Sequence, residues 1–163
     1  MASAPTGTNP AGSNKRPLSL TDQVRHALVM LPFFGVFDNL GFTIEDSNTV
    51  VLTGQVVQPI LKSDAEAAVR RLQGISKVVD NIEVLPASPF DDGIRLRTYR
   101  AIFLRPGFEK YADQAVSPIR IIVKNGNITL EGVIGSRLDR TLAEMAARSV
   151  PGAFSVTDNL TIG

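Results

Sequence analysis

The chain has 163 residues, 44% hydrophobic and 20% charged, and a formal net charge of +1, the balance of a globular protein with room for one ordinary domain or two small ones. It has no cysteine and a single histidine, His26, which excludes disulfides, thiolate chemistry and ordinary zinc sites, while so small a net charge argues against a nucleic-acid binder. The charge is uneven: residues 18–86 carry five Lys or Arg against eight Asp or Glu, residues 87–163 carry ten against eight, and four arginines fall between Arg95 and Arg105.

Residues 1–17 are small and polar, rich in Pro, Gly, Ser, Asn and Thr, and read as a flexible leader. They hold no apolar run of the secretory kind, so no export signal is visible there. A helix follows: Ser19-x-x-Asp22 resembles a capping box, Val24, Ala27, Leu28 and Leu31 share one face, and Pro32 predicts its end. The longest apolar run, Ala27 to Phe37, is broken by Pro32 and Gly35 and falls short of the ~20 residues a membrane span needs. Within it, Phe33, Phe34 and Phe37 either plug the edge of a core or form an exposed patch for a partner. Strands are predicted at Phe42–Asp46 and Val50–Val56, joined through Ser47-Asn48. A second helix begins near Pro59 or Ser63, with Ser63-x-x-Glu66 as a candidate capping box and Gly74 as the left-handed residue beyond its end, and a strand closes the unit at Lys77–Leu85.

The same order then recurs. Asp91-Asp92 fits helix capping and the helix dipole, since calcium would need more oxygen ligands. A helix over Ile94–Leu104 precedes strands at Ile119–Lys124 and Ile128–Ile134, whose Asn125-Gly126 link is a strong hairpin signal. Thr141-x-x-Glu144, Gly152 and a strand at Ser155–Ile162 complete the unit. Shifting the chain by 78 positions sets Leu52 on Leu130, Gly54 on Gly132, Ala65 on Ala143, Gly74 on Gly152 and Asp80-Asn81 on Asp158-Asn159. Upstream the shift is 74, with Pro32 on Pro106 and Phe34 on Phe108, so about four extra residues sit near Ala115–Pro118. Such a repeat predicts an α+β fold of two tandem αββαβ two-layer sandwich modules, residues 18–86 and 87–163, each a three-stranded mixed sheet packed on two helices. Gly54 and Gly132, inside strands, mark a bulge or a close backbone approach.

These aligned segments resemble the BON domain of bacterial cell-envelope proteins. The runs VVLTGQV at 50–56 and ITLEGVI at 128–134 look like the family's strand with its internal glycine. The segments GISKVVDNIEV at 74–84 and GAFSVTDNLTI at 152–162 look like its closing Gly-x-x-x-Val-x-Asn segment. The likeness runs over Leu20–Leu85 and Ile94–Ile162. It implies a periplasmic or outer-membrane-associated protein of a family named for osmotically inducible and nodulation-related members. The implied role is to bind phospholipid surfaces or organise the envelope, without catalytic residues. Phe33, Phe34 and Phe37 depart from the family's pattern, where more polar residues would be expected.

The helix Ile94–Leu104 is the main candidate for contact. On a helical wheel Ile94, Leu96, Tyr99, Ala101, Ile102 and Phe103 fill an arc of roughly 220° that also contains Arg95 and Thr98, with Arg97 and Arg100 opposite. One three-stranded sheet covers only about 100–140°, so the surplus meets the other module, a partner protein or a membrane. The candidate lipid- or partner-binding residues are therefore Arg95, Arg97, Tyr99, Arg100, Phe103 and Arg105 with Phe33, Phe34 and Phe37. The expected role is a non-enzymatic envelope module on anionic phospholipid; the alternative is an assembly subunit that binds another envelope protein. No cofactor, metal or nucleic acid is expected, and a homo-oligomer is compatible with the same surfaces.

Overall fold

A computed structural model of the protein describes residues 18–163; the expectation of a flexible leader over residues 1–17 lies outside them. The first module comprises helix α1 (Leu20–Val29), strands β1 (Asn39–Glu45) and β2 (Thr49–Val56), helix α2 (Pro59–Arg70) and strands β3 (Lys77–Asp80) and β4 (Glu83–Val84). The second repeats this order with α3 (Pro89–Phe103), β5 (Ile119–Lys124), β6 (Asn127–Ile134), α5 (Arg137–Arg148), β7 (Ser155–Asp158) and β8 (Thr161–Ile162). It adds a one-turn helix, α4 (Glu109–Ala112). No helix among the described residues is long and apolar enough to cross a membrane.

The fold is α+β, two modules each with a mixed sheet packed against helices. The central strand pairs antiparallel with the first, β1 to β2 and β5 to β6, and parallel with the last, β2 to β3 and β6 to β7. The closing strand is in two pieces, and the Asp-Asn pair explains the break. Asp80 and Asp158 turn back to accept the N–H of Ile82 and Leu160, while the Asn81 and Asn159 N–H groups still reach the Leu52 and Leu130 carbonyls. Val50, Leu52 and Val56 of β2 and Ile128, Leu130 and Ile134 of β6 are fully buried on the helix side, which places one core in each module.

Local signals succeed or fail for physical reasons. Ser19 caps α1 as expected, accepting the Asp22 N–H. Ser63 and Thr141 cap nothing. Pro59 already opens α2 at Gln58, and Ser136 caps α5 through the Asp139 N–H, so both residues lie inside helices. Asp91 does not cap α3; Ser88 does, and the buried Asp91 carboxylate instead accepts the Asn125 and Gly126 N–H groups of the hairpin turn. Helix α1 stops at Val29, before the residue that precedes Pro32. Ala115 and Val116, in the extra segment, are exposed and outside the core.

Both strand glycines sit at φ near +115° to +119° with the partner strand's backbone against them. A Cβ on Gly54 would lie 1.9 Å from the Asn39 carbonyl oxygen, and one on Gly132 1.9 Å from that of Pro118. Neither the angle nor the space admits a side chain. Gly54→Ala and Gly132→Ala are each expected to lower stability by about 2–4 kcal/mol in urea denaturation; a loss below about 0.5 kcal/mol contradicts the close approach.

Candidate functional site

Most of the nine candidate residues fall in a seam joining the modules or on an outward stripe of α3. The seam is built by the segment after α1. Phe33 turns the chain at φ 69°, and Asp38 fixes the turn by accepting the Gly35 N–H at 3.0 Å and the Val57 N–H at 2.8 Å. Gly35 to Phe37 then run along the free edge of β5, where the Ile121 N–H donates to the Val36 carbonyl at 2.9 Å.

Arg120 holds this hook from the second module. It projects from the sheet face away from the helices, yet it is buried. Its guanidinium donates to the Gly35 carbonyl at 2.8 Å and lies 4.2 Å from the centre of the Phe34 ring. Burial lowers its pKa, opposed by nearby Asp38. Burial likewise pushes the Asp38 carboxyl up, offset in part by its two backbone N–H partners and by Arg120. Further along the same outer faces, Lys124 pairs with Glu83 at 2.7 Å. Ile122 and Leu85, two residues from this ion pair, are buried but belong to neither helix-side core, so the seam is what covers them.

The seam absorbs most of α3's surplus. Tyr99 stacks on Phe103, ring centres 4.8 Å apart, and meets the Phe37 edge at 6.4 Å. Arg95 and Phe103, expected to face a ligand, are buried, and this corrects their assignment. Arg95 is 3% exposed; it donates to the Val123 carbonyl on the β5 edge and pairs with Asp92, both at 2.7 Å. It closes a sheet edge and offers no charge to solvent. Phe103 belongs to the second module's core. Phe34, Phe37, Tyr99 and Arg105 are half-buried, and Phe33 is exposed. Phe33, Phe37, Leu96 and Arg95 line a shallow apolar cleft of about 340 Å³ beside the hook.

Arg97 and Arg100 do face outward. With Phe90, Gly93 and Leu104 they form one stripe, at spacings of three, four, three and four residues. Phe90 and Leu96 are half-exposed and Leu104 is 74% exposed. Arg97 and Arg100 make no ion pair or side-chain hydrogen bond among the described residues. Phe154, 75% exposed, extends the stripe: its ring lies 6.1 Å from that of Phe90 and rests on Gly126, where a Cβ would collide with it. Sequence reasoning missed Phe90, Phe154 and Arg120. The sequence carried a signal for two of them: Phe154 stands where the first copy has Ser76, and Arg120 is a lone charge in the apolar run Ile119–Val123.

Compared with known proteins, the family model described as "BON domain" matches residues 19–86 and again residues 107–163; α3 lies outside the second match. No curated protein matches the chain. Among solved structures it is similar to the C-terminal domain of CdsD, a structural protein of the type III secretion system of Chlamydia trachomatis, with TM-score 0.34 and 16% identity over 90% of this chain and 66% of that one. A second CdsD structure gives TM-score 0.33 and 13% identity over 90% of this chain and 93% of that one.

The hook is held by charge-assisted contacts, and Arg120→Ala leaves the Gly35 carbonyl without its donor. The expected cost is about 2 kcal/mol, read as roughly thirtyfold faster hydrogen exchange at the Ile121 amide, with α5 amides unchanged. Unaltered protection at Ile121 would show that Arg120 does not hold the seam.

Proposed function

The chain belongs to the BON domain family as two tandem modules, and on that premise we propose that it is a non-enzymatic envelope protein that binds anionic phospholipid surfaces through the outward stripe of α3. The observation that carries this reading is the combination on one helix face: Arg97 and Arg100, both without an ion-pair partner among the described residues, between exposed Phe90 and Leu104 and beside exposed Leu96 and Phe154. An interfacial helix works this way, its apolar side chains entering the boundary of the acyl region while cations meet the headgroups. No acidic residue interrupts the stripe. Each arginine near an anionic surface contributes on the order of 1 kcal/mol.

The seam supports the same reading. Tyr99, Phe103 and Arg95 are taken up inside the protein, so the residues left outside are those with no internal use. The protein would sit at a membrane surface of the envelope as a peripheral module. An acidic protein surface is the alternative ligand for the same stripe, because exposed aromatic and arginine side chains also make interface hot spots.

Co-sedimentation with vesicles containing anionic lipid separates the two. Arg97→Glu together with Arg100→Glu is expected to weaken binding more than tenfold at low salt, with the difference shrinking as salt screens it. Thermal stability should stay within about 0.5 kcal/mol of the parent protein, since neither side chain has a structural partner. Full vesicle binding by the folded double variant removes α3 from the site, and no binding by the parent protein favours the protein-partner reading.

A further inference from the structure

The two modules present the same groove, and only one is filled. Leu40 and Ile119 both lie opposite the strand glycine, so Leu40, Phe42 and Ile44 of β1 occupy the positions of Ile119, Ile121 and Val123 of β5. On the helices the C-caps Met30 and Leu104 coincide, which sets Thr21 where the second module has Arg95, Arg25 where it has Tyr99 and Val29 where it has Phe103. In the second module, α3 packs directly along β5. The hook closes the rest, and Ile119, Ile121 and Val123 are fully buried. In the first, α1 packs chiefly on α2, Leu40, Phe42 and Ile44 stay only half-buried, and a groove of about 570 Å³ runs between α1 and β1. Ile121 donates its N–H to the hook; the equivalent Phe42 N–H has no such partner among the described residues.

We propose that the α1–β1 groove is a docking site for an extended peptide of a partner protein. The peptide lays apolar side chains along Leu40, Phe42 and Ile44, accepts the Phe42 N–H with a backbone carbonyl, and sets a carboxylate beside Arg25. The occupant's form follows from the filled copy, where Gly35 to Phe37 do the same at β5. Its charge follows from one of the differences between the copies: Arg25 stands where the second module has the Tyr99 ring that meets Phe37. Arg25 is held only by an exposed pair with Asp22, a contact weak enough to exchange. A second copy of this chain does not suit the groove. Its hook is engaged at its own β5, and its equivalent segment after α3 folds as α4 with Phe108 and Tyr111 buried. The site is separate from the α3 stripe and stands whether or not that stripe binds lipid.

The probe is a synthetic peptide of residues 31–39 of this chain, in Phe37→Glu and Phe37→Lys forms, titrated into the full chain and followed by amide NMR. The Glu form should shift the amides of Thr21–Val29 and Leu40–Ile44, slow exchange at Phe42 and bind about tenfold tighter than the Lys form; Arg25→Glu should reverse that order. Val29→Glu, a half-buried change inside the groove, should abolish the shifts while circular dichroism stays native. The proposal fails if millimolar peptide moves no amide of α1 or β1, if shifts appear only along β5 where the peptide displaces the hook, or if the two peptides bind alike.

Discussion

A buried guanidinium on the wrong face of a sheet decides how this protein is put together. Arg120 alternates with Ile119 and Ile121, so the strand that buries its neighbours in the core must aim it away from the helices. Its burial there carries a desolvation penalty of several kcal/mol unless acceptors surround it. The first module supplies them: the Gly35 carbonyl, the Phe34 ring and, at longer range, Asp38. Those groups converge only if the chain turns sharply at Phe33 and Asp38 ties the turn to Val57. The charge therefore dictates the hook, and the hook dictates that the modules face each other at one fixed edge.

Two consequences follow for the surface. An edge strand is an open template for unwanted pairing, and the free edge of β5 is closed by the Val36 carbonyl at Ile121 and by Arg95 at Val123. The same closure takes up Tyr99, so α3 keeps its apolar inner arc inside the protein and shows solvent a narrow stripe in which Arg97 and Arg100 lie between Phe90 and Leu104.

Much of the fold was legible because the chain says it twice. The 78-residue register located the strand glycines, whose conformation no side chain could share, and Asn125-Gly126 placed a hairpin that forms as expected. Helix starts were less legible: Ser63 and Thr141 fit a capping pattern, but Pro59 and Ser136 begin the helices a turn earlier. The wheel separated Arg97 and Arg100 from the rest of α3 correctly, since their exposure depends on the helix alone. It could not separate Arg95 or Phe103 from a ligand site, because Arg95 is taken up by the Val123 carbonyl on the β5 edge and Phe103 by the second module's core, contacts that a single helix does not contain. Phe90 was invisible for a similar reason, its ring meeting that of Phe154 only across the finished fold.

Duplication would ordinarily favour repetition. A hook on one module and a socket on the next is a head-to-tail interface, and such interfaces extend indefinitely unless something stops them. Here the stop is in the second copy. After α3 the chain reaches Pro106 and Gly107 as the first copy reaches Pro32 and Phe33, but the following residues close into α4 instead of extending. Phe108 turns into the module's own core, and the Tyr111 hydroxyl donates to Asp139 at 2.6 Å while accepting the Gly135 N–H. Lys110 adds an ion pair to the same carboxylate, and together these partners hold the Asp139 pKa below its usual value. The extra residues Ala115–Pro118 supply the length that lets the segment fold back. The second module thus has a filled socket and no hook, the first has a hook and an open socket, and the asymmetry between two copies of one sequence leaves the β1 edge unfilled among the described residues.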